Sequence, residues 1–167
     1  MKKFGLLAFS ILIVLSVLSL FLKGSSNPGD TSAISAGDTA WLLTATGLVL
    51  LMTPGLSFFY GGMVQSKNVI STMFQSFIAM GIISILWVVV GFSLSFGESF
   101  HGIIGNPFTF LFFKNVGVTP NPAFAPTIPF LLFAMFQLKF AIITPALITG
   151  SFAERVSFKA YLLFMVL

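Results

Sequence analysis

Apolar residues in this chain fall in blocks of twenty or more, about the length that crosses a bilayer as helix, and the polar residues gather between the blocks. Three blocks predict three transmembrane helices: Thr39 to Gln65, Val69 to Phe96 and Pro129 to Phe152. A fourth helix is expected from Ser157, but only eleven residues remain from there to Leu167, about half of what a crossing needs at roughly 1.5 Å per residue. The sequence therefore predicts an all-α, polytopic helical bundle whose last helix is truncated.

The segments between and before these helices differ in character. Met1 to Leu22 places two lysines ahead of an apolar run, the layout of a signal peptide, and Gly24-Ser25-Ser26 supplies small residues for cleavage. The run is also nearly long enough to span, so residues 1–26 read as a signal peptide or an uncleaved signal anchor, with cleavage the favoured expectation. Residues 27–37, rich in Ser, Gly, Asp and Pro, are expected to form a polar extracytoplasmic segment ahead of a membrane domain at 38–167. Between the second and third helices, prolines at 107, 120, 122 and 126 break helix and strand alike. An irregular extramembrane loop is expected over Gly97 to Ile128, with Phe108 to Phe113 as a short segment in the interface.

Composition agrees with the pattern. Hydrophobic residues make up 57% of the chain and charged ones 7%, where soluble domains carry about a quarter. The formal charge of +4 comes from basic residues scattered singly or in one pair, with no stripe to follow a phosphate backbone, so nucleic acid is excluded as a partner. There is no cysteine, and the lone His101 lacks ligands at metal spacing, so no metal site or cofactor is expected and His101 reads as a loop residue. Lysine and arginine counts set the orientation. With residues 27–37 outside, Lys2, Lys3, Lys67, Arg155 and Lys159 lie inside while Lys23 and Lys114 lie outside. This predicts a multi-pass inner (plasma) membrane protein with an extracytoplasmic mature N-terminus.

A few residues stand out for their chemistry. Pro54 and Pro145 sit inside the first and third helices, where each frees the carbonyl four residues back, of Leu50 and Ala141. A kink packed against neighbours is the preferred reading over contact with a substrate. Gly55, Gly61 and Gly62 surround Phe58, Phe59 and Tyr60 and read first as packing residues that let helices approach closely. Phe133, Phe136 and Phe140 follow a spacing of three then four, which predicts one aromatic stripe on the third helix. Gln137 and Lys139 lie near the middle of that helix, where polar groups should face protein or water. Glu154 and Arg155, which close it, read as an interfacial anchor and topology signal.

The motifs then point further. Asp38-Thr39-Ala40-Trp41, Leu50-Leu51-Met52-Thr53-Pro54-Gly55, Phe59-Tyr60-Gly61-Gly62 and Lys67-Asn68-Val69 resemble the first helix and turn of ammonium transporters of the Amt/Mep/Rh family. Gln75-Ser76, Leu86-Trp87 and Gly91-Phe92-Ser93-Leu94-Ser95-Phe96-Gly97 resemble their second helix. Phe136-Gln137, Phe140-Ala141-Ile142-Ile143-Thr144-Pro145-Ala146-Leu147 and Ala153-Glu154-Arg155 resemble their third. The order of these motifs makes the resemblance specific, and it covers Asp38 to Leu167.

The resemblance implies the N-terminal part of an eleven-helix fold, assembled as a homotrimer when complete. It implies transport of ammonium or ammonia through an aromatic-gated apolar pore, in a lipid bilayer, with a cytoplasmic regulatory protein as a further partner. Phe136 and Phe140 match the family's vestibule and gate phenylalanines, which makes them the substrate-binding residues, with Gln137, Pro54, Gly61, Gly62 and Pro145 as supporting residues. The family's two pore histidines, its vestibule tryptophan and the hydroxyl that contacts the ion lie on later helices that this sequence does not contain. Trp41 and Trp87 sit in the wrong motifs to replace that tryptophan. A cation facing the vestibule would repel ammonium, so the Lys139 side chain is expected to point away from the pore. Two alternatives stand beside transport: a short membrane-inserted interaction subunit, and an ammonium sensor, for which no signalling domain is present. An enzyme is not expected, because Glu98, His101 and Glu154 form no convergent acid–base constellation.

Overall fold

The computed structural model describes Val14, Val17 and residues 29–167. Apart from Val14 and Val17, which are helical and exposed, the expected signal peptide or anchor at 1–26 lies outside the described residues. Helix α1 spans Ala36–Met63 and starts at a cap that the apolar pattern does not mark: the Ser35 side chain accepts from the Asp38 N–H at 3.2 Å, with Asp38 in the first turn opposite the helix dipole. A 3₁₀ turn at Ser66–Asn68 leads into α2, Val69–Leu86. The second apolar span, Ser66–Phe96, continues through a π-helical turn at Trp87–Gly91 into a short α3, Phe92–Phe96. At that turn the Phe92 N–H reaches back to the carbonyl of Trp87 rather than Val88, which widens the helix. Helix α4 covers Phe130–Phe152, and α5 covers Phe158–Val166, capped by Ser157 through the Ala160 N–H.

The connection over 97–128 is more ordered than its prolines suggest. Two-residue strands β1, Ser99–Phe100, and β2, Ile104–Gly105, pair antiparallel. The turn between them works because His101 and Gly102 both take positive φ, at 55° and 74°, while the Ile103 N–H closes on the Phe100 carbonyl. No proline interrupts this stretch; all four lie further on. A 3₁₀ turn at Leu111–Phe113 then splits the expected interfacial segment. Phe108 and Phe112 point outward, whereas Phe110 and Phe113 turn in onto Phe92 at 5.4 and 5.6 Å.

Helix α1 packs against α2 and α4, and α5 lies on α2. The α1–α2 seam is small and polar. Thr53, Ser57 and Gly61, spaced by four, are buried on one face of α1; the Ser57 hydroxyl donates to the Met73 carbonyl at 3.1 Å, and a side chain begun at Gly61 would sit 3.0 Å from Met73 Cγ. The main core is different, built from Trp87, Phe92, Phe130, Ala134, Leu138 and Ile142 at the end that carries the 97–128 loop. A smaller cluster joins Ala79 of α2 to Tyr161 and Met165 of α5.

Candidate functional site

Helix α4 carries the residues of interest, and its neighbours treat successive turns differently. Near its start, Phe133 keeps its place on the expected face, about 20° from Phe140, but its ring joins the loop-end cluster, with centroids 5.2 Å from Phe96 and 6.1 Å from Phe124. Phe136 and Phe140 form a separate pair, edge to face, with centroids 5.1 Å apart and planes at 78°. The rings divide into two groups because Phe96 and Phe124, supplied by the second span and the loop, meet Phe133. Phe136 and Gln137 are half-buried, and Phe140 is 44% exposed.

At about 100° per residue, Phe136, Phe140 and Leu147 fall within about 40° of one another on α4. Leu147 is 50% exposed, while Ile143, which falls about 20° from Phe136 on the same face, is buried, so the exposed positions on this face are interrupted by a covered one. Lys139, half-buried, is rotated by about 100° from Phe140 and by about 60° from Phe136. A cavity of about 300 Å³ lies elsewhere, between α2, α4 and α5, lined by Ile83, Ala141, Thr144, Pro145, Ile148 and Phe164 among others. Neither ring of the pair lines it, although Thr144, one turn on from Phe140, does.

Several contacts fix α4 around the pair. The Trp87 indole N–H, presented from the π-helical turn, donates to the buried carbonyl of Ala134 at 3.1 Å. Gly91 makes this placement feasible, since a Cβ there would lie 3.2 Å from the indole. Pro145 is buried inside the helix, and hydroxyls bracket it: Thr144 donates to the Phe140 carbonyl at 3.0 Å and Thr149 to the Pro145 carbonyl at 2.9 Å. Pro54 likewise sits within a continuous α1, beside Thr53, whose buried hydroxyl has no partner. Of the two supporting glycines, Gly61 makes the close approach to α2, whereas Gly62, like Gly55, has nothing within 4 Å of where a side chain would begin.

Contacts between the far ends of α1 and α4 had no counterpart in the motif reading. The Tyr60 hydroxyl donates to the Leu147 carbonyl at 3.0 Å, and its ring covers Gly150 so closely that any side chain there would collide with it. A tyrosine in an apolar helix needs a polar partner, and that was the available signal. Glu154 Oε1 accepts from the Gln65 N–H at 2.8 Å and from Asn68 Nδ2 at 2.9 Å. These two bonds, the Asn68 side chain first, hold its carboxyl below the ordinary glutamate range, and the nearby Lys67 adds to the effect. His101 sits exposed in the β1–β2 turn, with the Phe100 ring against it.

Among the described residues three helices are long and apolar enough to cross a membrane, and they define a multi-pass membrane protein. Residues 40–167 match the model of the Ammonium Transporter Family. The chain is 43% identical over 157 residues to an ammonium transporter of Aquifex aeolicus (strain VF5), covering 93% of this chain and 35% of that protein. It is 50% identical over 131 residues to the ammonium transporter of Bacillus subtilis (strain 168), covering 78% and 32%. Among solved structures, Saccharomyces cerevisiae Mep2 superposes with a TM-score of 0.72 at 29% identity, covering 85% of this chain and 32% of that one. The chain belongs to the ammonium transporter family. It spans about a third of the length of these relatives.

Proposed function

We propose that the full-length protein containing this segment moves ammonium or ammonia across the inner membrane, and that Phe136 and Phe140 stand at the mouth of its conduit. The observation that carries this reading is the edge-to-face pair on a partly exposed face of α4, with Phe140 nearly half open. Ring faces attract a small cation, and the exposed apolar side chains of Phe140 and Leu147 offer nothing to replace the water around sodium or potassium. Helices beyond this segment would close that face and supply the remaining pore groups. The protein acts as a transporter and not as an enzyme, with its mature N-terminus outside, as a homotrimer, and with a cytoplasmic regulatory protein as a partner. The same proposal gives the Lys139 stem a packing role, with its charge kept away from the mouth, and its half-buried state supports it.

The test is methylammonium uptake in cells carrying a full-length transporter with this segment. Phe136→Ala and Phe140→Ala are expected to lower uptake or selectivity while insertion stays normal. Unchanged transport in both would remove the site assignment, and a segment that inserts without supporting any uptake would favour the interaction-subunit alternative.

A further inference from the structure

The second span begins without a cap of its own. Gln65 precedes the 3₁₀ turn and Asn68 precedes α2, and neither folds its side chain back onto the backbone that follows. The first N–H groups of a helical segment need acceptors from somewhere. At this turn one acceptor comes from a residue far along the chain: a single carboxylate oxygen of Glu154 takes both the Gln65 N–H and the Asn68 amide.

Glu154 reaches that place in an uncommon backbone conformation. Its φ is 66°, in the left-handed region that few residues other than glycine adopt, directly after α4 ends. Glu154 and the neighbouring Arg155 are both exposed, and the two hydrogen bonds are what set Glu154 apart. An anchor at a membrane surface needs charge but no particular partner and no strained backbone. A cap needs an acceptor at a fixed reach, and both bonds are within 2.9 Å.

We infer that Glu154 is a positioning residue: it caps the start of the second span from across the bundle and thereby pins the α1–α2 turn to the foot of α4. The same helix carries Phe136 and Phe140, and the Tyr60–Leu147 bond lies one to two turns further in. Through Glu154 the turn sets the spacing of α1 and α4 along the face that carries the pair. The inference stands on these contacts alone and does not depend on the transport reading.

Glutamine and alanine at this position separate a cap from an anchor. Glu154→Gln keeps the reach and the acceptor oxygen but loses the charge; Glu154→Ala loses both. Amide hydrogen exchange at Gln65, measured by NMR on this chain in detergent micelles, reads the bond directly. Glu154→Ala is expected to speed exchange about threefold to tenfold, the scale of one exposed hydrogen bond, while Glu154→Gln retains most of the protection. Glutamine behaving like alanine, or alanine behaving like the wild type, overturns the cap. Where Glu154→Ala does not fold, the carboxyl titration of Glu154 in Asn68→Ala carries the test. Removing the Asn68 donor is expected to raise that titration toward the ordinary glutamate range, and an unmoved titration overturns the inference.

Discussion

The two ends of α4 are held by different physics. At the loop end, Phe130 and Phe133 enter a cluster in which Phe92 is fully buried and touches the rings of Trp87, Phe96, Phe110, Phe113 and Phe130. At the turn end, α4 is tied by the Tyr60–Leu147 and Glu154–Gln65 hydrogen bonds and by the closeness that Gly150 permits, beside a smaller cluster in which its last residue, Phe152, meets the buried Tyr161 of α5. Aromatic burial is strong but indifferent to small rotations; hydrogen bonds to particular carbonyls fix distance and register. The Phe136–Phe140 pair lies between the two regimes, on a partly exposed face. A helix anchored rigidly at both ends can present two rings on such a face without those rings being needed for its stability.

That contrast can be broken most forcefully at Phe92. Phe92→Ala should cost about 3–5 kcal/mol and loosen the whole 97–128 loop, read as a lowered unfolding midpoint and faster proteolysis in that loop. A cost below about 1 kcal/mol would mean that the aromatic cluster does not hold this end. At the other end, Gly150→Leu should cost about 1–3 kcal/mol by forcing Tyr60 off its seat, with the damage confined to α1 and α4. Trp87→Phe should cost about 1 kcal/mol, the net worth of one buried hydrogen bond, by leaving the Ala134 carbonyl without its second donor. Gly62→Ala sharpens the picture from below: with open space around it, the change should be neutral or stabilising by up to about 1 kcal/mol, because alanine favours helix. A loss at Gly62 equal to that of Gly61→Ala would show that the turn end packs more broadly than its contacts indicate.

The membrane spans were legible because lipid imposes long apolar runs that nothing else in the sequence imitates. Helix ends were less so: α1 starts at Ala36 because a serine side chain caps it, and a polar cap is invisible to an apolar pattern. The hairpin at 99–105 was hidden behind the prolines that follow it. The division of the phenylalanine stripe could not be read from spacing, since the Phe133 ring joins another group only because Phe96 and Phe124 arrive from elsewhere. Glu154 illustrates the same limit. Its partners at Gln65 and Asn68 are 89 and 86 residues away, so its role was open to a bland interfacial reading. Phe136 and Phe140 came to notice through their place in a family motif, and physical spacing alone gave no reason to prefer them to Phe133.

Whether the Phe136–Phe140 face borders water or lipid is tested most directly by a single cysteine. The chain contains none of its own, so Phe140→Cys in the full-length transporter gives one reactive site among these 167 residues. Because α4 presents position 140 on an open face, a charged thiol reagent added from outside should label it, and ammonium should slow the labelling. Labelling only by a lipid-soluble reagent, indifferent to ammonium, would place the ring against acyl chains and contradict the account.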